Sequence, residues 1–207
     1  MSAELEVHLA AGRGTDDPAF YFDFAQPGAY LAAERILQLM PGPAEWIPAS
    51  GAALGTPAAA LGLEARRVLE RVGEERGLQR FVWPDPFPFD SELALRAATY
   101  AKGIGRVVAF SLAAFRQCYA AGRSLDRIDN VVIAASACEM HPAAVLKGCE
   151  LRSTQAALDA ATELARERGV RSLPAVYVPG GGGGPGRVFH GDERLEDAAR
   201  ELAAGVT

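Results

Sequence analysis

Ala19-Phe20-Tyr21-Phe22-Asp23-Phe24-Ala25-Gln26-Pro27-Gly28-Ala29-Tyr30 is the stretch whose reading decides the fold. Its first six residues are aromatic and apolar apart from one aspartate, the composition of a buried strand, Ala19 to Phe24. Pro27 falls where the first residue of a helix belongs, because its fixed φ suits that position and its missing N–H costs nothing there. The helix is expected to run to about Met40, with Tyr30, Ala33, Leu37 and Met40 on one stripe and Glu34, Arg35 and Gln38 facing elsewhere. Pro41-Gly42-Pro43 ends it.

Working outward, Ala44 to Ala49 carries Trp46 and Ile47 and reads as a second strand parallel to the first, joined to it by the helix as a right-handed crossover. From about Ser50 to Gly148 the pattern is helical, interrupted by the proline-rich loop Trp83 to Phe89. Within it Ser91 is the expected N-cap of a helix over Glu92 to Lys102, Gly103 and Gly105 mark a break, a further helix ends near Gly122, and Asp129 to Met140 forms another, stopped by Pro142. Ser153 to Gly169 is a long amphipathic helix leading into strand-like Val170 to Val178. Gly180 to Gly186 joins this to Arg187-Val188-Phe189-His190 as a hairpin, and a last helix spans Asp192 to about Ala204. Upstream, residues 1–18 read as a short strand or a loose tail, with Gly12, Gly14, Asp16, Asp17 and Pro18 as the turn signal.

The 207 residues are 49% apolar, enough to build a core, and the net charge of −5 is spread without runs, which excludes a nucleic-acid binder. No segment approaches about 18 uninterrupted apolar residues, so no membrane span is expected. The start, Met-Ser-Ala-Glu-Leu-Glu-Val, lacks a basic stretch followed by an apolar run, and the expected location is the cytoplasm. Cys118, Cys138 and Cys149 form no Cys-x-x-Cys pair and His8, His141 and His190 are scattered singly, so neither a disulfide framework nor a metal site is expected. The cysteines read as small buried apolar residues. The Gly180 to Gly184 run is a hairpin tip, since no helix with Gly-Lys-Ser/Thr follows it. Tyr100, Phe110, Phe115 and Tyr119 recur at helical spacing, either as core or as a wall for an aromatic substrate.

Several segments, taken in order, resemble one family: Phe22-Asp23-Phe24 leading into Pro27 and Tyr30-Leu31-Ala32, then Trp46-Ile47-Pro48, Pro86-Phe87-Pro88 with Leu95-Arg96-Ala97, Gly169-Val170 to Pro174, and Gly191-Asp192-Glu193-Arg194-Leu195. They are similar to the landmarks of the 2-hydroxychromene-2-carboxylate isomerases and kappa-class glutathione transferases, within the larger DsbA-like group, over about residues 19 to 204. The resemblance implies an α/β thioredoxin fold with an all-helical domain inserted between the second strand and the third major helix of the core. Residues 1–50 and 150–207 would form the thioredoxin-like domain and residues 51–149 the insertion. It also implies a cis Pro174, facing the start of the first helix and exposing the Leu173 backbone to a thiol peptide, and a homodimer. A trans proline opening a strand is the alternative.

A thioredoxin-fold redox site needs two cysteines at the first helix's N-terminus, where the helix dipole and free N–H groups stabilise a thiolate. This chain has Gln26-Pro27-Gly28-Ala29 there. The isomerases and transferases that it resembles place a serine immediately before the proline to hold the sulfur of glutathione, so Gln26, whose amide offers two N–H donors, is the candidate catalytic residue. Their Gly-x-Asp-Arg segment, which holds the γ-glutamyl end, corresponds to Gly191, Asp192, Glu193 and Arg194. The resemblance thus implies a protein dependent on glutathione or another low-molecular-weight thiol, acting as isomerase or transferase on a small aromatic or conjugated substrate, with Leu173, Pro174, Asp192 and Glu193 binding the cofactor. Two other readings stay open: a non-catalytic thioredoxin-fold binding module, and a thiol–disulfide oxidoreductase using distant cysteines. In the first, Gln26 is a solvated helix-entry residue and Asp192 an ordinary N-cap.

Overall fold

β1 (Ala19–Phe22) is buried along its whole length, as a strand composed almost entirely of aromatics must be to leave water. The structure, a computed structural model, describes residues 17–181 and 184–205. The tail expected over residues 1–18 therefore lies almost wholly outside the described residues. α1 (Pro27–Leu39) starts on Pro27 and leads to β2 (Glu45–Pro48), which pairs parallel to β1 with Phe20 opposite Trp46. β3 (Ala175–Val178) runs antiparallel to β1, and β4 (Arg187–His190) antiparallel to β3, giving the order β2-β1-β3-β4.

Between β2 and the last part of the sheet lie α2 (Leu63–Glu75), α3 (Glu92–Gly103), α4 (Val107–Tyr119), α5 (Ile128–Ser136), α6 (Pro142–Glu150) and α7 (Arg152–Glu167). After β4 a single 3₁₀ turn, Asp192–Arg194, opens α8 (Leu195–Gly205). Alternation along the strands sends Phe20, Phe22 and Trp46 to one face of the sheet and Tyr21 and Ile47 to the other. The first face joins α1, α3, α4 and α5 in one hydrophobic cluster, in which Phe115 lies 5.8 Å from Phe22 and 4.8 Å from Phe24 between ring centroids. The second face packs on Ala165 of α7. The largest cluster therefore runs across the expected boundary at residues 50 and 51 rather than stopping there.

Several expectations are corrected. The first strand ends at Phe22, because Asp23 turns its carboxylate to the backbone of Ala25 and Gly51. On α1 the buried position is Ile36, while Leu37 is 60% exposed; α4 and α8 pack on the helix from two sides and turn its apolar stripe away from Leu37. Residues 51–62 and 76–91 are irregular, so the helical block begins only at α2. Ser91 makes no cap bond; Asp90 Oδ1 accepts from the Glu92 N–H at 2.9 Å, and the Ser91 hydroxyl faces Asp23 instead. The helix expected over Asp129 to Met140 ends at Ser136 in a turn over residues 137–139, so Pro142 stops no helix and instead opens α6, with the His141 side chain accepting from the Ala143 N–H. The strand expected from Val170 narrows to Ala175–Val178, because cis Pro174 interrupts it.

Candidate functional site

At the C-terminal end of β1 the chain turns through Asp23 into α1, and that turn forms one wall of a cleft of about 290 Å³. Ala25, Gln26, Pro27 and Gly28 supply this wall, Ser172 and Leu173 the facing one, Thr56 to Ala59 and Leu61 a third, and Leu69 of α2 with Phe87 of the proline-rich loop close it. The α1 N-terminus carries no acidic residue in its first turn, and Pro27 leaves Gly28 as the next backbone donor, so the positive end of the helix faces the cleft with no carboxylate of its own turn against it.

The Leu173–Pro174 peptide is cis, as expected. Its ring lies against the start of α1: a Cβ built on Gly28 would stand 3.5 Å from Pro174 Cδ. The register of β1 and β3 ends at Tyr21 opposite Ala175, so Leu173 lies two residues beyond the ladder, on the cleft wall. The Pro174 carbonyl accepts from the Gly191 N–H at 2.8 Å, which ties the loop to the segment that opens α8.

Gln26 is half-buried in an extended conformation, and its Nε2 donates to the Thr56 carbonyl at 3.1 Å. One of its two amide hydrogens is thereby used and the other remains. Beneath it Asp23 is 4% exposed, and burial holds its carboxyl above the ordinary value, against hydrogen bonds from Ser91, Ala25 and Gly51. Against Phe87 of the cleft lining the Arg66 guanidinium stacks 5.4 Å from the ring centroid and 4.8 Å from that of Trp83, whose indole donates to Glu70 at 2.6 Å.

Gln26 and Leu173 thus meet on one cleft, with Pro174 behind them, whereas Asp192 and Glu193 do not line it. Asp192, 7% exposed, is held by Arg76 at 2.6 Å and Arg35 at 3.4 Å, and burial still keeps its carboxyl above the usual range. Glu193 is exposed and folds its carboxylate over Gly191, whose φ of +87° suits glycine. None of the three cysteines lines the cleft; all are buried, and burial pushes their thiols up, Cys149 to about 11. Among the described residues no group of three ligating side chains could hold a metal, and no helix is long and apolar enough to cross a membrane.

Asp23 belongs to a family landmark and Gly51 and Thr56 to an alanine-rich stretch, but the sequence assigns none of the three a role in the site. The one available signal was the carboxylate of Asp23 inside an aromatic run, since a charge there must find partners.

A four-stranded sheet with a cis proline facing the N-terminus of the helix after β1 defines a thioredoxin-fold protein. The chain belongs to the DSBA-like thioredoxin domain family, whose profile matches residues 47–203. A solved 2-hydroxychromene-2-carboxylate isomerase is similar to it at a TM-score of 0.73 and 19% identity, covering 92% of this chain and 98% of that one. A probable DsbA oxidoreductase from Streptomyces coelicolor is similar at 0.72 and 17%, covering 91% and 89%. The cytosolic disulfide reductase DsbM from Pseudomonas aeruginosa, solved with GSH, is similar at 0.60 and 14%, covering 90% and 96%. These identities speak to the fold alone. No curated protein matches the chain.

Proposed function

We propose that the protein binds glutathione or another low-molecular-weight thiol in the cleft and uses it, as an isomerase or transferase, on a small aromatic or conjugated substrate. One observation carries the reading: the amide of Gln26 and the start of α1, which has no acidic residue in its first turn, share a cleft with the loop of cis Pro174, where no protein thiol stands. The cofactor would then supply the sulfur. A thiolate there receives the helix dipole, the Gly28 N–H and the spare hydrogen of the Gln26 amide. The Leu173 backbone pairs with the cofactor's peptide, and Phe87 with Leu69 offers an apolar, partly aromatic face to the second substrate. Glu193, exposed on the same segment as Gly191, is the side chain left to hold an ammonium group, with Asp192 acting through its arginine pairs. The solved DsbM with GSH supports a thiol in a protein of this fold. Cytoplasmic location agrees with the three unpaired cysteines, and homodimerisation is carried over from the family resemblance.

The test is titration with reduced glutathione, by calorimetry and thermal melting. Saturation at about a hundred times the Kd raises stability by about 2.7 kcal/mol, several degrees in a chain of this size. Saturable binding that weakens in Glu193→Ala supports the reading, and no shift at millimolar glutathione removes it.

A second reading, a binding module without catalysis, is favoured by the bond from Gln26 Nε2 to the Thr56 carbonyl, which already satisfies half of the amide's donor capacity. A thiol–disulfide oxidoreductase is disfavoured by burial of the three thiols, and reduced protein that consumes disulfide no faster than a free-cysteine control would dismiss it.

A further inference from the structure

Asp23 ends the first strand with a buried carboxylate that serves two backbone donors at once. Oδ1 accepts from the Ala25 N–H at 2.9 Å and Oδ2 from the Gly51 N–H at 2.8 Å. The chain of bonds continues from there. The Gly51 carbonyl accepts from the Thr56 N–H at 2.8 Å and, more weakly, from the Thr56 hydroxyl at 3.5 Å, and the Thr56 carbonyl accepts from Gln26 Nε2 at 3.1 Å. All of these groups converge on a residue without a side chain. A Cβ built on Gly51 would stand 2.9 Å from the Thr56 carbonyl oxygen, 3.2 Å from Asp23 Oδ2 and 3.4 Å from Gln26 Nε2.

We infer that Asp23 is a positioning residue for Gln26, aiming its amide through the turn of Gly51 and Thr56 so that Nε2, and not Oε1, is presented at the start of α1. The chemistry is directional. A carbonyl oxygen at Thr56 takes only the nitrogen end of the amide, because the flipped amide would set two acceptors against each other. With one hydrogen fixed on Thr56, the second hydrogen on Nε2 has a defined direction. Aspartate is required at the base of this relay because two N–H groups converge on it. Asparagine would turn an NH₂ group against one of them, leaving a buried donor without an acceptor. Only glycine fits at position 51, because a methyl group there would push the Thr56 carbonyl out of reach. The part played by the second hydrogen toward a thiolate rests on the function proposed above, whereas the aim of the amide does not.

The experiment uses the full chain and two readouts. In a ¹⁵N correlation spectrum the Gln26 side-chain amide, assigned by its loss in Gln26→Ala, is expected to show two well-separated protons, one of them slow to exchange. Asp23→Asn and Gly51→Ala are expected to return the hydrogen-bonded proton to its free-amide shift and to speed exchange by about tenfold or more. The second readout is affinity for glutathione and for S-methylglutathione, which has no ionisable thiol. Both variants are expected to weaken glutathione by about tenfold while leaving S-methylglutathione nearly unchanged, and to add no further loss in a Gln26→Ala background. An unaltered Gln26 amide in a folded Asp23→Asn or Gly51→Ala protein overturns the inference, as does equal weakening of both ligands or an additive effect with Gln26→Ala. Should Asp23→Asn fail to fold, Gly51→Ala breaks the same relay with the carboxylate retained. Should glutathione not bind at all, the thiol reading falls while the spectrum still decides the relay.

Discussion

Asp192 and Arg76 form an ion pair of 2.6 Å that joins the turn opening α8 to the end of α2, and Arg35 of α1 reaches the same carboxylate at 3.4 Å. Three segments distant in sequence are thus braced at one buried anion. Burial has already raised the Asp192 carboxyl above its ordinary value, so removing a cation leaves a charge that the site solvates poorly. Breaking a fully buried pair costs about 3–5 kcal/mol; with Arg35 retained and Arg76 in part solvated, Arg76→Ala is expected to cost about 2 kcal/mol. Adding Asp192→Asn to it should restore part of that loss, because the unpaired charge goes as well. Urea unfolding of the two variants checks this, and a double variant no more stable than Arg76→Ala would contradict it. The same brace warns that a loss of thiol binding in an Asp192 variant has to be read beside its stability.

His190 closes β4 with Nε2 accepting from the Arg171 N–H at 3.0 Å, while its other nitrogen faces the Gly169 carbonyl. An imidazole that accepts at Nε2 cannot be protonated there without losing that bond. Burial first, and Arg171 after it, lower its pKa, so as pH falls the unfolded chain takes the proton before the folded one. The stability that His190 contributes is therefore full above about pH 6.5 and is lost as pH falls from there through the folded-state value. Melting temperatures measured down this range are expected to converge between the wild type and His190→Gln. Asp23 and Asp192, whose raised values act in the opposite direction, are common to both proteins and cancel in the difference. A gap that stays constant with pH would rule the account out.

How much was legible in the sequence follows from which interactions are local. β1, the Pro27 start of α1, β2 and the hairpin of β3 and β4 are written in strand composition, a fixed φ and turn residues, all read within a few positions. The cis Pro174 came from family resemblance, since composition says nothing of the isomer. Leu37 was misplaced because the buried face of α1 is decided by α4 and α8, which no helical wheel contains. In the candidate site, Gln26 and Leu173 follow from the family resemblance, which places one before the helix-opening proline and the other before the cis proline. Gly51 and Thr56 do not, because their role lies in backbone groups that any residue carries, and nothing local tells that Asp192, a cofactor ligand by resemblance and an N-cap in the alternative reading, pairs with Arg35 and Arg76, 157 and 116 residues upstream.

Gln26 separates the two functional readings through one pair of variants. Serine keeps a donor next to Pro27, whereas alanine keeps none. Removing a positioned donor to a developing charge costs about 10²–10³ in rate, so with glutathione and a conjugated substrate Gln26→Ala is expected to lose about a hundredfold while Gln26→Ser stays within about tenfold of the wild type. Both variants give up the bond to the Thr56 carbonyl and should be less stable by about 1 kcal/mol. Steady-state rates beside thermal melts check this. Activity that appears only in Gln26→Ser would instead support the module without catalysis.

Phe115 of α4 tests whether the helices between β2 and α7 behave as a domain of their own. Its ring touches Phe22 and Phe24 beside the sheet and Tyr30 of α1, at 5.8, 4.8 and 6.4 Å between centroids, so one side chain fills the junction between the helices and the strands. Phe115→Ala opens a cavity there and is expected to cost about 3–5 kcal/mol. Because the cluster around it is continuous from Phe20 to Val131, the loss should lower the stability of sheet and helices together. In a Trp83→Phe background, fluorescence reports Trp46 in β2 while far-ultraviolet dichroism reports mainly the helices. The two denaturation curves are expected to coincide in the wild type and to shift by the same amount in Phe115→Ala. Curves that separate, with the helical signal lost first, would show that residues 51–149 unfold as a unit and that the shared cluster does not couple them to the sheet.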